Sequence, residues 1–319
     1  MKTPTAPAPV KRIHRGIPAV MATAALLLAA TACAPSPATL ASTPATPSGD
    51  SAGNGAGVPA LAVNDAAAQL LPESIKSTRV LRVAIPTNEP PTQFYREGTQ
   101  EMTGTNPDIA RLLGEALGVK VEIQVANFDS IIPGIAAGRY DMTVSSMTPT
   151  EKRMEVLDFV DYMQMGNSIA VAQRNPQGIT DQHALCGKKL GLLTGSYQLT
   201  VNVPEYDKAC TAGGKDTIQR SEFQDTRQAI SALGSGRLDA VLADSPILNF
   251  AATQNPQIEI ASKYDFTPVG VGLPKDSGLV KAVSAALSGV IQSDSYLKVL
   301  GKYGLESSAI TDARVNFAQ

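Results

Sequence analysis

Residues 105–145, TNPDIARLLGEALGVKVEIQVANFDSIIPGIAAGRYDMTVS, alternate helical and strand periods without interruption. Asn106-Pro107-Asp108 predicts a helix start, with Asn as N-cap and Pro at the first helical position. Ile109, Leu112, Leu113, Ala116 and Leu117 recur at helical spacing, and Gly118 stops the run. A strand is expected over 119–125. Asp129 then opens a helix carrying Ile131, Ile132, Ile135 and Ala136 as far as Gly138, and another strand covers 141–145. Such alternation predicts α/β structure with parallel strands and helices packed on the sheet.

Upstream, Val80-Leu-Arg-Val-Ala-Ile85 is a β-branched strand ended by Pro86. Downstream, strands are expected at 190–193, 217–221, 238–243, 258–261 and 269–273. Helices are expected to open at Ser196 and to span 224–233, 245–253, 277–291 and 293–303. Two α/β modules result, so a ligand belongs beyond strand C-terminal ends or in the cleft between modules.

The N-terminus has the form of an export signal. Lys2, Lys11, Arg12 and Arg15 precede an apolar stretch at 17–30, and small residues lead to Cys33. Residues 1–32 are read as a signal peptide. The small residues before Cys33 resemble a bacterial lipobox, with Ala30 where Leu is usual. The resemblance implies cleavage before Cys33 and lipidation of its thiol (palmitate among the chains), and several chains hold a membrane stably. A plain secreted protein is the alternative. From Cys33 to residue 74 the chain is mostly Ala, Pro, Ser, Thr and Gly, which predicts a flexible tether.

No later segment approaches the ~18 consecutive apolar residues of a membrane helix. A formal net charge of -2 gives no basic footprint for nucleic acid. Besides Cys33 only Cys186 and Cys210 remain, and in an oxidising compartment they suggest a disulfide contributing ~3 kcal/mol. A metal pair is the rival, without CxxC spacing or a histidine cluster to support it. Of two histidines, His14 lies in the signal and His183 in a polar loop, which leaves no partner for a serine triad and no histidine-based metal site.

The stretch Ser145-Ser-Met-Thr-Pro-Thr-Glu-Lys-Arg153 follows a strand. Thr148 fits an N-cap, Pro149 the first helical position and Glu151 the third, a capping box. Ser146 and Thr148 then sit at a helix N-terminus, which favours an anion. Arg153 gains nothing from that dipole, but its guanidinium can grip a carboxylate bidentately.

The run from Thr103 to Met163 resembles the first lobe of type II extracellular solute-binding proteins of the polar amino acid class, which serve ABC transporters. LCGKKLGLLTGSYQ, GRLDAVLADSP and SDSYLKVLGKYGL are similar to the second lobe and C-terminal tail, so about residues 78–305 are covered. The resemblance implies a two-lobed periplasmic-binding-protein-like type II fold, each lobe a β-sheet flanked by helices, joined by two hinge strands near 165–170 and 264–269. Lobe 1 would hold 75–166 and 268–319, and lobe 2 would hold 167–267.

By resemblance, Ser146, Thr148 and Arg153 take the places of the carboxylate-binding residues, and Met147 beside them is counted among the ligand-binding residues. Thr194, Gly195, Ser196 and Tyr197 match the second-lobe loop, with Tyr197 where a small hydroxyl residue is common. Asp244 takes the place that holds the α-ammonium, although it could also cap the next helix. Phe128 fits an aromatic wall, or simply the core. Glu89 stands where the opposite aromatic is usual, and a carboxylate there favours a cationic or hydrogen-bonding side chain. The implied function is capture of a polar, and by Glu89 basic, amino acid (arginine, lysine or ornithine) by a monomer that needs no cofactor or metal and delivers to ABC permease subunits. The alternatives are a neutral ligand such as glutamine, a periplasmic dehydratase-type enzyme with Glu89 as its acid, or a receptor's sensor module.

Overall fold

Strand β1, Val80–Ile85, forms from the β-branched run and pairs in parallel with β4, Lys120–Val125, and β5, Met142–Met147. A short ribbon of β2, Phe94–Tyr95, and β3, Met102–Thr103, lies between β1 and the helix Thr105–Leu117. The computed structural model describes residues 58–317, so the signal segment and Cys33 lie outside the described residues. A second parallel set joins β7, Lys189–Leu193, to β8, Gln219–Phe223, and β9, Ala240–Asp244.

Two long strands tie the sets together. β6, Leu157–Ala172, and β10, Ile258–Pro274, run antiparallel along their whole length. The result is one eight-stranded order, β4-β1-β5-β10-β6-β9-β7-β8. Sequence periodicity resolves only pieces of these strands. Their apolar run breaks at Tyr264, Asp265 and Phe266, where the register shifts and Asp265 adopts φ 48.

The core divides at the same place. One cluster gathers Met163, Met165 and Val269 with Leu112, Leu113, Val283 and Leu287. Another holds Ile169, Leu190, Leu192 and Leu242, with Ala261 and Tyr264 against it. These centres define lobe 1 and lobe 2, with Gly166 between them. A Cβ on Gly166 would meet Ser245 Oγ at 3.2 Å and the Tyr264 carbonyl at 3.3 Å.

Three expectations change. The tether is shorter than composition suggests, because Val58 and Leu61 pack on lobe 1 and a helix, Asp65–Gln69, buries Ala67. The helix at 105 starts two residues early, with Gly104 as N-cap, because Asn106 is buried and its amide is used elsewhere. A Cβ on Gly104 would come within 2.4 Å of the Thr92 carbonyl oxygen, so no capping side chain fits there. Thr150, not Thr148, caps the turn Glu151–Met154, accepting from the Arg153 N–H at 3.2 Å. Thr148 and Pro149 stay outside the helix, which leaves the Thr148 carbonyl available to Arg153. Cys186 and Cys210 are bonded to each other, closing a sequence separation of 24 within lobe 2.

Candidate functional site

The C-terminal ends of β5 and β9 meet the loops after β1 and β7 between the lobes. Ser146, at the end of β5, has φ 54. Its N–H donates to Tyr162 Oη at 2.9 Å. Arg153 is buried, and its two terminal nitrogens reach opposite lobes: Nη1 donates to the Thr148 carbonyl at 2.7 Å and Nη2 to the Gly195 carbonyl at 2.9 Å. The Phe128 ring lies 5.5 Å from the guanidinium carbon, a cation–π contact. Burial lowers the Arg153 pKa to about 10, with Asp244 and Tyr197 opposing. The guanidinium therefore stays charged at neutral pH in a poorly solvated place, which strengthens its hold on an anion.

Lobe 2 supplies Ser196 and Asp244. Ser196 Oγ accepts from the Leu199 N–H at 3.1 Å and caps the helical run that follows. Asp244 ends β9, and its carboxylate does not cap the next helix. Instead it accepts from Gln198 Nε2 at 2.7 Å, the same nitrogen that donates to Asn167 Oδ1 at 2.7 Å. Burial raises Asp244 to about 6, against the Gln198 bond and the Arg153 charge.

Glu89 lies in the loop after β1 with 4% of its surface exposed. Oε2 accepts from Gln93 Nε2 at 3.0 Å, and Oε1 from Thr226 Oγ1 at 2.7 Å. Behind Gln93, Asn106 Nδ2 donates to Gln93 Oε1 at 2.6 Å and to Ser146 Oγ at 2.9 Å, while the Tyr162 hydroxyl donates to Asn106 Oδ1 at 2.6 Å. A continuous buried chain thus joins Ser146 and Tyr162 to Glu89. Burial raises Glu89 to about 7; the Thr226 bonds oppose the shift and the Asp244 and Asp225 charges add to it.

Glu89, Arg153 and Asp244 are the charged groups that line one cavity between the lobes. Its free volume is about 20 Å³, about enough for one water, and the Arg153–Gly195 and Glu89–Thr226 hydrogen bonds close it from lobe to lobe. A larger cavity of about 600 Å³ shares Phe128, Arg153 and Tyr197 with it and extends past Thr150 and Val201.

Residues 81–306 match the model of the bacterial extracellular solute-binding proteins, family 3. The chain belongs to this family. The curated relatives it matches are named as amino acid-binding proteins, which makes this chain an extracytoplasmic solute-binding protein rather than an enzyme. Among its relatives, the arginine-binding protein ArgT of Corynebacterium glutamicum is 28% identical over 77% of this chain and 81% of its own. An ancestral arginine-binding protein, solved bound to arginine, is 30% identical with a TM-score of 0.64, covering 70% of this chain and 97% of its own. A mutant of ArgBP from T. maritima is 26% identical with a TM-score of 0.66, covering 75% of this chain and 99% of its own. Among the described residues of this solute-binding protein no helix is long and apolar enough to cross a membrane, and no metal-binding cluster is found.

Glu89, Phe128, Ser146, Thr148, Arg153, Ser196, Tyr197 and Asp244 all line the cleft cavity. Met147 and Thr194 do not. Met147 packs beside Phe128 and Phe159, because strand alternation points it away from Ser146, and it borders the larger adjoining cavity instead. The Thr194 hydroxyl donates to the Phe223 carbonyl at 3.1 Å, holding the ends of β7 and β8 together. Gln93, Asn106, Tyr162, Gln198 and Thr226 escape sequence reasoning. Asn106 before a proline reads as a cap, and Tyr162 inside an apolar run reads as core. Gln198, adjoining the Ser196-Tyr197 motif, is the residue that spacing could have found.

Proposed function

We propose that this solute-binding protein captures a basic amino acid, of the arginine, lysine or ornithine type, by closing its lobes around it. The balance of charge in the cleft carries this reading. One guanidinium and two carboxylates line the cavity. An α-carboxylate satisfies Arg153 and an α-ammonium satisfies Asp244, as charge-assisted bonds. Glu89 then remains, a buried carboxylate whose side-chain donors, Gln93 and Thr226, are neutral. A buried charge without a counterion costs several kcal/mol, and a cationic ligand side chain supplies the counterion. The arginine-binding relatives support the same ligand class.

Ligand contacts on both lobes favour the closed form, and β6 and β10 provide the crossing about which the lobes part. Lobe 1 is taken as 75–166 and 268–319, with residues 58–74 packed on it, and lobe 2 as 167–267. The protein is further proposed to be a monomer held at the outer membrane face by a lipid on Cys33, which mass spectrometry of the mature N-terminus would detect.

Calorimetric titration with arginine, lysine, ornithine and glutamine tests the ligand reading. Binding is expected to be tighter for the basic three. Arg153→Ala should abolish all four, since losing a buried charge partner costs roughly 2–5 kcal/mol. Glu89→Gln should weaken arginine at least about tenfold more than glutamine. No binding of any amino acid, or equal losses in Glu89→Gln, would contradict it.

A further inference from the structure

Glu89 belongs to lobe 1, yet one of its two oxygens is served entirely from lobe 2. Thr226 Oγ1 donates to Oε1 at 2.7 Å and the Thr226 N–H approaches the same oxygen at 3.4 Å. Thr226 is the first residue of the helix Thr226–Gly234 and is 2% exposed. The helix already has its own cap, because Asp225 accepts from the Gln228 N–H at 2.9 Å. Thr226 is therefore not needed for capping, and its hydroxyl and N–H point across the cleft. On the lobe 1 side, Gln93 Nε2 holds the other oxygen.

The remaining charged neighbours work against Glu89 as an anion. Asp225, before the lobe 2 helix, and Asp244, at the end of β9, both push a proton onto it, and burial pushes in the same direction. The donors that favour the anion are Thr226, across the cleft, and Gln93, beside it. Parting the lobes removes the first of these.

We propose that Thr226 is a specificity-determining positioning residue. Its hydroxyl and N–H fix the position of the Glu89 carboxylate only in the closed form, so that the ligand's side-chain charge is read during closure. The proposal rests on the basic-amino-acid reading above. Glu89 meets the ligand, and Thr226 acts through Glu89.

The test compares Thr226→Val, which keeps the shape and removes the hydroxyl, with Thr226→Ser, which keeps it. Arginine and glutamine affinities are measured by calorimetry from about pH 5.5 to 8.5. The arginine-to-glutamine ratio in Thr226→Val is expected to fall about tenfold or more at neutral pH, the worth of one hydrogen bond to a charged group. Its pH profile for arginine should move to higher pH. Thr226→Ser should restore both. In a Glu89→Gln background, Thr226→Val should change the ratio no further, as a double-mutant cycle requires of a residue acting through another. The proposal is overturned if Thr226→Val lowers both affinities alike or leaves the ratio unchanged, if Thr226→Ser does not rescue, or if the cycle is additive. If the wild-type chain binds no arginine, the ligand reading itself has failed. If it does and the Thr226 ratio stays flat, only this inference has.

Discussion

At Arg153 the sequence shows a cation out of place in the first turn of a helix, and the structure gives the reason. Its terminal nitrogens touch the Thr148 and Gly195 carbonyls, one from each lobe. The same donors are geometrically suited to the two oxygens of a carboxylate. Glu89 was legible as an acid replacing an aromatic, but its neutral partners were not, because Gln93 and Thr226 meet it only through folding. Proton linkage follows from its burial. Glu89, raised to about 7, and Asp244, raised to about 6, hold protons that an unfolded chain has released. The stability they lend the ligand-free fold is present at low pH and is lost as pH rises through about 6 to 7. A cationic side chain reverses the preference at Glu89, so arginine binding should release a proton near pH 6. Titration in buffers of unlike ionisation heat measures that release. The arginine-to-glutamine ratio should rise with pH by up to about tenfold per unit between about 5 and 7. A ratio flat across that interval would mean that Glu89 does not face the ligand.

Among the elements, the error at SSMTPTEKR is instructive. Thr148 and Thr150 are equally good caps by composition, and Pro149 favours the first. The fold uses Thr150, because the Thr148 carbonyl accepts from Arg153 and cannot be spent on a helix. Asn106 is the same case: a cap by composition, but a buried bridge between Gln93, Ser146 and Tyr162 in the fold. Local propensity identifies which residues can hydrogen-bond, and tertiary contacts decide with what. The bridge predicts a measurable cost. Tyr162→Phe strands the Ser146 N–H and Asn106 Oδ1 in the core, which should lower stability by about 1–3 kcal/mol in denaturant unfolding. An unchanged midpoint would show that the chain from Tyr162 to Glu89 carries no energy.

For the whole molecule, strand–helix alternation was enough for the two α/β modules, because parallel sheets buried on both faces read as continuous apolar runs. The crossing was harder to read. β6 and β10 each pass from one core to the other, so their periodicity changes at Gly166 and at Asp265, and a single strand looks like two. The cleft sits beside that crossing, so Arg153 of lobe 1 and Asp244 of lobe 2, the groups proposed to grip a ligand's two ends, face one cavity when the lobes are closed. The crystal structure of the protein grown with L-arginine tests this most directly. The expected result is the ligand carboxylate on Arg153, its α-ammonium on Asp244 and its guanidinium within about 3 Å of Glu89. A guanidinium pointing away from Glu89, with Glu89 still bonded only to Gln93 and Thr226, would contradict it.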